Sequence, residues 1–90
     1  MIDSKRPHPV PGYQMEVLDG EILLFHPAST KVMYSNRSGA LIWQLCDGKH
    51  TVTDISHLLG AAYPESADQI PSQVRHTLQT FAKHGAITWV

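Results

Sequence analysis

Six histidines, one cysteine and eight carboxylates are the side chains of this sequence that could do acid–base, nucleophilic or metal chemistry. His8, His26, His50, His57, His76 and His84 are scattered along the chain. No two of them stand at i,i+4, the spacing that turns two imidazoles toward one zinc ion from a helix, and His76 and His84 lie two turns apart. Cys46 falls in the apolar part of a predicted helix, where a cysteine acts as a small hydrophobe. A nucleophilic thiol needs a base and an accessible, electropositive setting, and nothing in the spacing aims His50 at the sulfur. Among the carboxylates, Asp19 suits a turn and Asp54 a helix cap, and no pair has the look of an acid–base couple. No glycine-rich phosphate loop is present. The expectation is a non-enzyme with no catalytic residues, no metal site and no cofactor.

The elements that would position any binding residues are legible from period and punctuation. Residues 1–12 hold Pro7, Pro9 and Pro11, which forbid helix and predict an extended N-terminal arm, loose or laid on the surface. Residues 13–90 then form a single domain. Tyr13–Leu18 alternates as a half-buried strand. Asp19-Gly20 is a hairpin signal, and Glu21–His26 is the return strand, apolar enough for both faces to find cover. Pro27–Thr30 is a second turn, and Lys31–Tyr34 a third strand at the sheet edge.

Asn36 is the expected N-cap of a helix over Gly39–Cys46, closed by Asp47-Gly48. Thr51-Val52-Thr53-Asp54 reads as a capping box for a second helix that stops near Tyr63, before Pro64. Glu65–Asp68 is a loop. A third helix starts near Gln69–Ser72, carries the stripe Val74, Leu78, Phe81, Ala82, and ends at Gly85. Ala86–Val90 is a terminal strand or a packed tail. The fold class is α+β: a winged-helix-like arrangement of a three-stranded antiparallel sheet followed by three helices.

Composition narrows the function. The net charge of −1 lacks the basic excess of a dedicated nucleic-acid binder, so no nucleic-acid partner is expected. The shape keeps one rival open, a winged-helix DNA-binding transcription factor, although the third helix would offer DNA only Arg75 and Lys83 with His76 and His84. A single cysteine allows no intramolecular disulfide, the first residues lack the apolar core of a signal peptide, and no apolar run could span a bilayer. These predict a cytoplasmic protein with no membrane partner. Trp43 could be rim packing or a contact residue. The third-strand edge could receive an extended peptide by strand addition, or pair with its own copy to give a homodimer.

The residues also resemble a known family. Asp19-Gly20-Glu21, His26-Pro27, Val32…Asn36-x-x-x-Ala40-x-Ile42-x-x-Leu45-Cys46-Asp47-Gly48, Thr51-Val52-x-x-Ile55-x-x-x-Leu59, Tyr63 and Val74-x-x-x-Leu78 up to Gly85 resemble the PqqD-like domains, also called RiPP recognition elements. The resemblance runs from about Arg6 to Ile87, and Leu-Cys-Asp-Gly-x-x-Thr-Val is its most specific part. It implies a peptide chaperone that binds the leader of a ribosomally made precursor peptide. The domain would present that leader to a radical S-adenosylmethionine protein or another peptide-modifying enzyme. The leader would add to the third strand and lie against the third helix. The implied peptide-binding residues are Lys31, Val32, Met33, Tyr34 and Ser35 on the strand, and Arg75, Leu78, Gln79 and Ala82 on the helix. Members dedicated to pyrroloquinoline quinone synthesis usually carry a Pro-Glu-Gly-like turn where this chain has Pro27-Ala28-Ser29. The pathway is therefore left open between that cofactor and other peptide natural products.

Overall fold

Alternate prolines leave every remaining N–H of the first segment on one side, and that side is where it pairs. The structure, a computed structural model, describes residues 4–19, 21–28 and 32–90. β1 (Pro7–Pro9) runs antiparallel to the last strand, β5 (Ile87–Trp89), with Pro7 opposite Trp89. Arg6 and Val90 exchange both backbone bonds, at 3.2 and 2.8 Å, and the Val10 N–H donates to the Ala86 carbonyl at 2.9 Å. The missing proline donators face away from β5, so the ladder loses nothing. On that far side the Pro7 carbonyl still accepts from Gly48 N at 2.8 Å. Pro7 is fully buried. Pro7–Pro9 is thus extended, and its pairing with Ile87–Trp89 joins the two ends of the described chain.

The second sheet is the expected meander. β2 (Gln14–Leu18), β3 (Glu21–Phe25) and β4 (Val32–Asn36) lie in the order β2-β3-β4, with β3 central. Leu18 pairs with Glu21, which leaves a two-residue connection between the strands. The turn and strand positions expected for Gly20, Ser29, Thr30 and Lys31 lie outside the described residues. β4 is the third strand of this meander and, with β2, forms an edge.

β4 feeds straight into α1 (Arg37–Gln44). The Asn36 side chain accepts from Gly39 N at 3.0 Å and from the Ser38 hydroxyl at 2.7 Å, so the helix begins two residues ahead of the expected Gly39. Gly39 is required by close approach: a Cβ there would collide with the Ser35 side chain. α2 (Val52–Ala62) opens with a complete capping box between Thr51 and Asp54. A 3-10 turn over Pro64–Ser66 occupies the expected loop, and α3 (Ile70–Lys83) takes Pro71 in its first turn.

The core is built from one stripe of each element. Leu24 and Met33 come from the sheet; Ile42 and Cys46 from α1 and its end; Val52, Ile55 and Leu59 from α2; Ile70, Val74, Leu78 and Phe81 from α3. Ala86 and Ile87 close it. Trp43 resolves toward packing: its ring meets Phe81 edge-on at 5.8 Å and Tyr13 at 6.3 Å.

Candidate functional site

Two features lie together at one end of the sheet: the open edge of β4 and a cleft that begins where β4 ends. Alternation sets the edge. Met33 and Ser35 turn toward the helices, and Met33 is 8% exposed. Val32 and Tyr34 turn outward and are 47% and 67% exposed. Outward residues of the three strands fall into rows: Gln14, Phe25, Val32; Glu16, Leu23, Tyr34; Leu18, Glu21, Asn36. Leu23, Phe25, Val32 and Tyr34 therefore form an apolar patch beside β4, flanked by Glu21 and Asn36. Leu23 and Phe25 are half-buried and neither joins the core cluster, so both faces of the central strand find cover, more completely on the helix side.

The cleft, of about 460 Å³, is lined by Asn36, Arg37 and Ser38 from the β4–α1 junction, Leu59 and Tyr63 from the end of α2, Ser66 from the 3-10 turn, and Ile70 and Gln73 from the start of α3. That volume is in the range of small-ligand and side-chain pockets, about 300–1,000 Å³. Leu59 and Ile70, each 2% exposed, give it an apolar floor. Among the described residues Arg37 is the one charged residue that lines it. A chain laid along β4 runs from the strand edge into this opening, because Asn36 belongs to both.

The helix residues expected from sequence fall elsewhere on α3. Ile70, Gln73 and Thr77 share one flank; Arg75, Gln79 and Ala82 share another, with Ala82 half a turn around the axis from Gln73. Only the first flank supplies cleft residues. Leu78 is fully buried in the core, Gln79 is exposed, and Arg75 and Ala82 are half-buried, Ala82 packing against the core. On the strand, Val32, Tyr34 and Ser35 offer side chains, and Met33 offers its backbone. The cleft residues on α1 and α2 were missed by sequence reasoning. Their one local signal was Asn36, which sequence assigned to capping alone.

The reactive groups do not assemble. Burial pushes the Cys46 thiol up to about 12, with the Asp47 carboxylate adding to the effect, and its Sγ donates to the Ile42 carbonyl at 3.1 Å. Asp47 accepts from Lys49 N at 2.8 Å, from His50 N at 3.1 Å and from the His50 ring at 2.9 Å. These bonds, the Lys49 amide first, lower its carboxyl to about 2. Gly48, at φ 78°, turns the chain there, and a side chain would strike the His8 ring. Asp54 is lowered by its capping bonds with Thr51. The Leu45–Val52 signature is thus a structural turn that caps α2 and holds β1. Among the described residues no cluster of His, Cys, Asp and Glu could hold a metal ion. Of the described cations only Arg75 and Lys83 lie on α3; Lys5 and Arg6 precede β1, Arg37 opens α1 and Lys49 is in the turn after it. No helix among them is long and apolar enough to cross a membrane.

The family model for coenzyme PQQ synthesis protein D (PqqD) matches residues 21–87, from β3 to β5. The chain belongs to the PqqD family. Like the arrangement described above, a solved structure of TbiB1 in complex with the TbiA(beta) leader peptide has this fold. The two superpose with a TM-score of 0.71 at 18% identity, over 89% of this PqqD-family chain and 93% of TbiB1. No curated protein matches.

Proposed function

We propose that this PqqD-family domain is a non-catalytic peptide chaperone. It binds the leader segment of a ribosomally made precursor peptide and presents it to a partner modifying enzyme, such as a radical S-adenosylmethionine protein. The observation that carries this reading is the unpaired edge of β4 running into the cleft at Asn36. An extended chain would gain backbone bonds along Val32–Asn36 and set alternate side chains on the Met33 side and the Tyr34 side. Membership of the PqqD family supports it, and so does the TbiB1 fold, which is recorded with a leader peptide. The binding residues of this reading are Val32, Met33, Tyr34 and Ser35, together with Lys31, which precedes them in the sequence. On the helical side the cleft favours Ile70 and Gln73 as the first residues to test, and Arg75, Gln79 and Ala82 as the comparison set. The cytoplasm is the proposed location, since the lone cysteine is a buried free thiol.

The test is an amide NMR titration of the isotope-labelled protein with leader peptides encoded beside its gene. Saturable shifts centred on β4 and on the cleft are expected. A peptide that binds while leaving the β4 amides unshifted sinks the edge-addition reading. Turnover of the peptide by the domain alone would overturn the non-catalytic one.

A further inference from the structure

Arg37 stands at the cleft with no charge partner among the described residues. It is exposed, it lines the opening beside Asn36 and Ser38, and no described residue hydrogen-bonds or pairs with its guanidinium. Glu21 lies across the ladder from Asn36 yet makes no ion pair with its neighbour Arg37. The rest of the lining is neutral: two serines, an asparagine, a glutamine and a tyrosine around the floor of Leu59 and Ile70. Glu65 and Asp68, both exposed, stand on either side of Ser66 in the chain, and neither lines the cleft. The charge of the described lining is therefore the single positive one of Arg37, at the β4–α1 junction.

We infer that this cleft selects peptides with an acidic residue where the chain leaves the β4 edge, next to an apolar residue seated on Leu59 and Ile70. The inference deepens the peptide-binding reading and rests on it. The fork of Arg37 can take a carboxylate through two parallel bonds, and a carboxylate brought there meets no competing anion among the lining residues. A basic residue at the same place would face an unpaired guanidinium. Attraction of this kind acts more on encounter rate and on the choice between partners than on total affinity.

The experiment is a selection from a displayed library of random twelve-residue peptides, run in parallel on wild type, Arg37→Glu and Arg37→Gln. Arg37 is exposed, so both variants should keep the wild-type circular dichroism spectrum and melting midpoint. Wild type should enrich Asp or Glu at one position beside an apolar residue. Arg37→Glu should enrich Lys or Arg at that same position, and Arg37→Gln should show no charge preference. A synthetic pair differing only by Glu against Gln there should differ about two- to fivefold in affinity for wild type, as a partly exposed ion pair does, and in the opposite sense for Arg37→Glu. Added salt should shrink the difference. Wild-type motifs without an acid, or identical motifs from wild type and Arg37→Glu, overturn the inference and leave peptide binding standing. If wild type enriches no peptide at all, the peptide-binding reading falls and takes this inference with it.

Discussion

Methylating the amide nitrogens of a bound peptide, one at a time, reads the geometry of its docking directly. β4 has five residues, Val32–Asn36. In a ladder, alternate residues aim both backbone groups at the same neighbour. β3 takes one set, so the open edge offers the other: either Val32, Tyr34 and Asn36, or Met33 and Ser35. A strand laid there donates two or three of its own N–H groups to β4, and the N–H groups between them face away. Each donated bond contributes about 0.5–1.5 kcal/mol net. The added methyl also intrudes on a strand spacing of about 4.8 Å. A methyl at a donating position should therefore cost at least about 1 kcal/mol, a fivefold rise in Kd. At the intervening positions Kd should stay within about twofold. The assay is calorimetry or fluorescence anisotropy with a synthetic series of a peptide selected for binding. The expected profile is a period of two over roughly five residues. A flat profile, or a period of three to four such as a docked helix would give, refutes strand addition at β4.

Leu78→Ala should lower stability by about 2–5 kcal/mol, because Leu78 is fully buried and the core would keep part of the cavity. Urea unfolding measures it, and a near-neutral stability change with a tenfold loss of peptide affinity would place Leu78 in the groove instead. Asp47 titrates at about 2 rather than its ordinary 3.8, so the unfolded chain takes up this proton first. Its contribution to stability should be full above about pH 4 and fade as pH falls toward 2. Urea midpoints of Asp47→Asn should fall less steeply with acid than those of wild type. Some slope should persist, because the Asp54 carboxyl is also lowered. Cys46, with its thiol raised to about 12, should resist iodoacetamide at pH 8 in the native protein and label only in step with unfolding. Labelling at a free thiol's rate without denaturant would contradict its burial.

The parts of this fold that a reader of the sequence could see are those decided within one or two turns of chain. Asn36 caps α1, Thr51 and Asp54 cap α2, and Gly48 and Gly85 take positive φ where turns are needed. The stripe on α3 was visible for the same reason: burial of Val74, Leu78 and Phe81 follows from a period of 3.6. The stripe did not reveal which flank of α3 stands near β4. Ile70 and Gln73 on one side, and Arg75, Gln79 and Ala82 on the other, border the buried face equally well in sequence. Nor did β4 alone reveal that Met33 belongs to the core while Tyr34 faces outward, because a period of two names the faces without saying which is covered.

What the sequence determined by itself was therefore the set of elements, their caps and turns, and the family signature. The bonds behind them join residues three or four apart, so local chemistry settles them. What only the tertiary structure decided was how those elements meet. The pairing of Pro7–Pro9 with Ile87–Trp89 joins the two ends of the described chain. The cleft draws its walls from the end of β4, the starts of α1 and α3, and the end of α2. Arg37 becomes notable only there, as the one cation among the described residues that line the cleft. Such juxtapositions depend on amphipathic elements burying their stripes against one another at once, and no local pattern carries the angle at which they do so.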